Sequence, residues 1–174
     1  MRPNGTLTVL GIDPGTTVLG YGVVTAGGAA RGTARLVECG VVRTRNGASL
    51  PARLAVLFDG ISELLDRHDP DAVAVEGLFH GRNARSALVL GHARGVVLLA
   101  AERSGRTIVE ISPAEVKRAV TGTGGASKPQ VGAMVMRLLR LTTPPRPADA
   151  ADGVAIALTH LLRMAPRTRL APPR

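Results

Sequence analysis

The chain has 174 residues, enough for one hydrophobic core and short for two ordinary domains. Its 22 Lys and Arg against 13 Asp and Glu give a formal net charge of +9, which points to a polyanionic partner, nucleic acid first. A single cysteine, Cys39, excludes an internal disulfide framework and a cysteine-based zinc site. No apolar run is long enough to span a bilayer and the N-terminus lacks a signal-peptide apolar region, so the cytoplasm is the expected location.

In chain order, 7–12 reads as a buried strand, and Asp13-Pro14-Gly15 then forces a turn, Pro fixing φ and Gly permitting positive φ. Residues 19–25 and 36–44 are two further strands, joined through a Gly-rich connection at 26–32 into an antiparallel meander. Leu50–His68 is the clearest helix: Leu54, Leu57, Phe58, Ile61, Leu64 and Leu65 recur at helical spacing. Ala72–Glu76 has no polar alternation, as in a parallel strand covered on both faces. A loop at 77–82 leads to a long helix over 83–104, and Thr107–Ile111 is a fifth strand. Ser112 caps a short helix with Pro113 at its first position and Glu115 at its third, a capping box. The linker Gly122-Thr123-Gly124-Gly125-Ala126-Ser127 is expected to be mobile; it lacks the Gly-Lys-Ser/Thr order of a nucleotide phosphate loop. Ser127 caps a helix running to Leu141, and Ala148–Met164 is the last helix. The order gives an α/β fold, a mixed five-stranded sheet with helices on both faces, over 1–165, and a basic, Pro-rich, disordered tail over 166–174.

Four carboxylates stand out. Asp13 follows the first strand, Glu76 ends the fourth, and Asp149 and Asp152 share one face near the start of the last helix. Taken singly, each has a plain reading: Asp13 as a turn residue, the Asp149–Asp152 pair as complement to the helix dipole. Glu76, closing a Val-rich strand, is a poor surface residue. In a basic chain, acids converging from distant rigid elements suit a hard cation, Mg²⁺ or Mn²⁺, and two such ions can clamp the attacking and leaving oxygens of a phosphodiester. Among other groups, Phe79 lies in a Gly-rich basic loop and is either a stacking platform for a base or a loop residue folded back on the core. Arg82, Asn83 and Ser86 open the long second helix, whose N-terminus favours phosphate. His160 reads as a polar residue at the core edge rather than a ligand. The second helix carries Leu88, Val89, Leu90, Val96, Val97, Leu98 and Leu99 around most of its circumference. One face covers the sheet; the other needs a partner, and an isologous dimer contact including Val97 is expected.

These residues resemble the RuvC Holliday-junction resolvases of bacteria. The resemblance runs from Leu7 to His160 through Asp13-Pro14-Gly15, Gly20-Tyr21-Gly22, Glu76 with Leu78 and Phe79, Ser86-Ala87-Leu88, Gly91-His92-Ala93-Arg94-Gly95, and Ala148-Asp149-Ala150-Ala151-Asp152. Gly77 departs from the residue type expected after the glutamate. The resemblance implies a ribonuclease-H-like fold, a homodimer, and endonucleolytic cutting of two opposed strands in a four-way DNA junction during recombination and repair. It implies two Mg²⁺ or Mn²⁺ ions on Asp13, Glu76, Asp149 and Asp152, and 5′-phosphate ends. It implies a base-stacking role for Phe79, DNA contacts for Lys117 and Lys128, and partnership with the branch-migration motor of RuvA and RuvB. Three rivals stand beside it: a phosphotransferase of the actin-like ATPase group, for which the chain is too short, a non-catalytic DNA-binding module, and an RNA-cutting relative.

Overall fold

The computed structural model describes residues 5–27, 33–77 and 84–164. Phe79 and Arg82 of the expected loop, Asn83 at the expected helix start, most of the connection at 26–32, and the tail at 166–174 lie outside them. The elements run β1 (Leu7–Asp13), β2 (Val18–Ala26), β3 (Ala34–Arg43), α1 (Leu50–His68), β4 (Ala72–Glu76), α2 (Ala84–Arg103), β5 (Thr107–Ile111), α3 (Pro113–Thr121), α4 (Lys128–Leu139) and α5 (Ala148–Met164). They form one five-stranded sheet in the order β3-β2-β1-β4-β5. β1 pairs antiparallel with β2 and β2 with β3, as a meander must, while β1–β4 and β4–β5 are parallel through helical crossovers.

Strand side chains alternate faces, so the sheet sorts its apolar residues into two cores. Leu10, Ile12, Leu19, Val23, Val73 and Val75 meet α1 and α2 on one side. Val9, Val24, Ala74 and Ile111 meet α3, α4 and α5 on the other. Leu57 and Ile61 of α1 are fully buried, each removing enough apolar surface from water to contribute about 1.5–3 kcal/mol.

The second core is unusually thin. The α5 backbone rests directly on β1 and β2 because glycine lines both sides of the contact. A Cβ added to Gly153 of α5 would lie 2.6 Å from Tyr21 Cα, and one added to Gly22 would lie 2.5 Å from Val154 Cα. Only residues without side chains let helix and strands approach this closely. This is the physical content of the Gly20-Tyr21-Gly22 pattern.

Besides shifts of one or two residues at element ends, four differences from the sequence reading matter for the site and its surroundings. β1 extends to Asp13, so the acid is a strand residue. Gly15 is not in the left-handed region; the close approach of the Val18 carbonyl oxygen excludes a side chain there instead. α4 ends at Leu139 because Arg140 adopts φ 54°, which stops the helix before Leu141. Val97 has no exposure at all: it belongs to the core between α2 and the sheet and is not a partner-facing residue. The capping box at Ser112 forms as read, with the Glu115 carboxylate accepting the Ser112 N–H at 2.9 Å. No described helix is long and apolar enough to cross a membrane.

Candidate active site

The parallel register places Ile12 beside Val75, so the next residues, Asp13 and Glu76, sit side by side at the end of β1 and β4. Ile12 and Val75 face the α1–α2 core. By alternation, Asp13 and Glu76 face the other side, where α5 begins. There the close glycine contact brings the Asp149 backbone against Gly20, the residue paired with Asp13. One turn later α5 presents Asp152.

A cavity of about 430 Å³ opens at this point. Asp13, Glu76 and Asp152 line it together with Lys117 of α3 and Lys128 of α4, over an apolar floor that includes Val116, Val131, Ala155 and Ile156. Asp149 stands just outside the lining, close enough for its charge to act on Asp13.

The electrostatics match this crowding. Burial, then the charge of Glu76, then a hydrogen bond to Glu76, and then the charges of Asp152 and Asp149 raise the Asp13 pKa to about 7. The bond raises Asp13 and lowers Glu76, so it is Asp13, when protonated, that donates to the Glu76 carboxylate. Burial raises Glu76 as well, and so does Asp152, while the bond from Asp13 and the Lys128 charge act in the opposite direction. Lys128 Nζ donates to Asp152 Oδ2 at 2.6 Å, and this bond raises the ammonium's pKa. The site is thus negative charge concentrated beyond what its own surroundings neutralise.

Every donor in it is a carboxylate oxygen, the chemistry of a hard divalent cation. Among the described residues no three acid, histidine or cysteine side chains stand in coordinating arrangement around one point. Asp13 is in hydrogen-bond contact with Glu76, and Asp152 with Lys128. A cation that displaces the Asp13 proton and the Lys128 ammonium meets a donor set that suits it. The residues fit the group.

Lys117 lies at the cavity wall. Ser86, in the first turn of α2, is exposed and lines a separate cavity of about 350 Å³ with Thr16 of the turn after Asp13. His160 is buried and lines neither cavity; burial and the nearby Arg163 hold its imidazole below the usual pKa. The sequence reading did not single out the wall residues Val116, Val131 and Ile156. Only their positions on inner helix faces marked them, and that signal is the same as for any core residue.

The family model for crossover junction endodeoxyribonuclease RuvC matches residues 9–160. The RuvC of Rubrobacter xylanophilus is 47% identical over 168 residues, covering 95% of this chain and 92% of that one. The RuvC of Frankia alni is 52% identical over 157 residues, covering 90% of this chain and 79% of that one. The solved structure of Thermus thermophilus RuvC in complex with Holliday junction substrate superposes with a TM-score of 0.85 at 40% identity, covering 97% of this chain and 99% of that one. Sequence and fold agree, and the chain belongs to the crossover junction endodeoxyribonuclease RuvC family.

Proposed function

We propose that this protein is a structure-selective endodeoxyribonuclease that resolves four-way DNA junctions by paired, symmetric, metal-dependent hydrolysis. One observation carries the reading: Asp13, Glu76, Asp149 and Asp152 come from distant parts of the chain and influence one another electrostatically beside two lysines, in a protein of net charge +9. The Thermus thermophilus relative carries the corresponding substrate.

Asp13, Glu76, Asp149 and Asp152 would hold Mg²⁺ or Mn²⁺, two ions in the full site, which would supply Lewis-acid activation of water and charge stabilisation at the departing oxygen. The chain's own residues do the rest. The strand ends and the first turns of α5 fix the carboxylates before substrate arrives. Lys117 and Lys128 offer ammonium groups to the phosphate at the cavity mouth. The apolar floor limits water around the reacting group. Ser86 at the α2 N-terminus, with Arg82, Asn83 and Phe79 in the preceding segment, would extend the DNA contact, the phenyl ring by stacking on a base.

Two active sites are needed for two opposed strands, and we infer a homodimer. Leu88 and Leu99 of α2 are 65% and 53% exposed. With Gly91, His92, Gly95 and Val96 they line a shallow groove of about 440 Å³ on the α2 face that turns away from the sheet. Partnership with the RuvA–RuvB branch-migration motor and a cytoplasmic location are supported by family membership alone.

The test is incubation with a four-way junction, a linear duplex and an RNA–DNA hybrid, with and without Mn²⁺. Symmetric paired nicks with 5′-phosphate ends are expected in the junction only. Metal-independent cutting, or equal cutting of the hybrid, would reject the reading.

A further inference from the structure

The catalytic end of the sheet carries a second charged feature that the acid site does not use. β2 pairs with β3 up to Val18 opposite Arg43, so β3 ends beside the turn that follows Asp13. Thr44, buried, fastens the two: its N–H donates to Thr17 O at 3.0 Å and its hydroxyl to Thr16 O at 2.9 Å. Arg43 and Arg45 flank Thr44 and are both exposed. Arg53, in the first turn of α1, reaches the same turn through a long contact of 3.4 Å from Nη1 to Thr17 Oγ1. Its Nε is buried without a hydrogen-bond acceptor.

None of these guanidinium groups belongs to an ion pair among the described residues. Four other described arginines are in ion pairs: Arg67 with Glu38, Arg94 with Glu110, Arg106 with Asp69 and Arg163 with Glu115. The first turn of α1 contains no acid either, so its N-terminal dipole adds to the positive field. Three uncompensated arginines around one rigid turn are a built receptor for a polyanion. The end of β3, where Arg43 and Arg45 stand, is two strands from Asp13, a lateral offset of about 10 Å. A DNA strand that leaves the carboxylates across this end of the sheet would bring a backbone phosphate within a few nucleotides of the cut over this turn.

We propose that Arg43, Arg45 and Arg53 clamp the DNA backbone within a few nucleotides of the phosphate being cut, holding the strand in line with the carboxylate site. The proposal rests on the reading of the substrate as junction DNA and adds a positioning surface to it. Arg53 completes the clamp from α1, while Arg43 and Arg45 supply the exposed forks that grip phosphate.

The test uses full-length protein carrying R43A and R45A together, both on exposed side chains so that folding is spared. A charge-matched control carries R103A and R137A, exposed residues in the last turns of α2 and α4. Junction affinity is measured from 50 to 300 mM salt in Ca²⁺. The slope of log K against log salt should fall by about 1.8 for two lost phosphate contacts, and affinity near 0.1 M salt should drop more than tenfold. The control should keep the wild-type slope. Uncharged methylphosphonate linkages placed two to four nucleotides from the cut should weaken wild-type binding and leave the double variant unaffected. An unchanged slope, an equal loss in the control, or additive losses from variant and linkage would overturn the clamp. Wild-type cleavage in Mn²⁺ is read in parallel: intact cleavage with an unchanged slope defeats the clamp alone, whereas no cleavage defeats the proposed function with it.

Discussion

Lys128 Nζ and Asp152 Oδ2 lie 2.6 Å apart, so a cation of the chain itself already holds one of the acids expected to bind metal. The ammonium and the metal compete for the same oxygen. The pair is partly exposed, and such pairs contribute about 0–1 kcal/mol. Lys128→Met should therefore tighten Mn²⁺ binding to the DNA-free protein by up to about fivefold in a calorimetric titration. The same change should slow junction cleavage, because the phosphate loses its ammonium. Weaker Mn²⁺ binding in the variant would show that Lys128 organises the metal site instead of occupying it.

Asp13 has a raised pKa, about 7, chiefly from burial and then from Glu76. Linkage fixes the sign. The folded metal-free protein binds a proton at Asp13 that the unfolded chain has already released, so this group favours folding below pH 4 and loses that contribution as pH rises through 7. Metal replaces the proton, so added Mg²⁺ should raise the melting temperature more at pH 8 than at pH 5.5. Asp13→Asn removes the buried charge outright. Its melting temperature without metal should exceed that of wild type by a few degrees at pH 8, about the shift a 1 kcal/mol change brings, and converge with it near pH 5. The variant should lose more than about a hundredfold in cleavage while still binding the junction. Retained cleavage, or a melting difference that does not depend on pH, would remove Asp13 from the site.

Much of this site was legible because its parts obey strong local rules. Asp13 and Glu76 end buried strands, and Asp149 and Asp152 repeat at helical spacing, so their convergence follows once the sheet order is known. Leu57, Ile61 and Leu65 announce α1 by period alone. Two things were not legible. Val97 lies on a helix apolar around most of its circumference, and periodicity cannot say which apolar face meets the sheet; only the packing of Ala93, Val97, Ala100 and Ala101 decides it. The glycines on both sides of the α5 contact were legible as a pattern but not as a distance. Their meaning is a close approach between segments far apart in sequence, which no local rule encodes.

That close approach is itself testable. A methyl group at Gly153 would fall within 2.6–2.9 Å of Tyr21 Cα, Tyr21 C and Gly22 N, all of them backbone atoms that cannot turn aside. α5 must lift, and Asp149 and Asp152 lift with it. Gly153→Ala should destabilise the protein by about 1–3 kcal/mol in urea. Cleavage by the folded fraction should fall further than that loss explains, since the acids of α5 separate from those of the sheet. Rising Mn²⁺ should recover part of the rate. A variant as stable and as active as wild type would mean that the contact does not set the position of the acids.

The faces of α2 separate folding from assembly. Val97 is fully buried and Leu99, two residues later, is 53% exposed. Val97→Glu should unfold the chain, since it puts an unpaired charge into the α2–sheet core. Leu99→Glu leaves that core intact and places two like charges near each other across an isologous contact. Sedimentation should then show folded monomers with wild-type far-ultraviolet dichroism. Monomers that still bind metal should nick one strand of a junction without the symmetric second nick, because each cut needs its own carboxylate site. Leu88→Glu, on the same exposed stripe, should behave alike. Dimers of undiminished affinity in both variants would place the subunit contact elsewhere on the surface and leave the α2 groove without a role in pairing the two cuts.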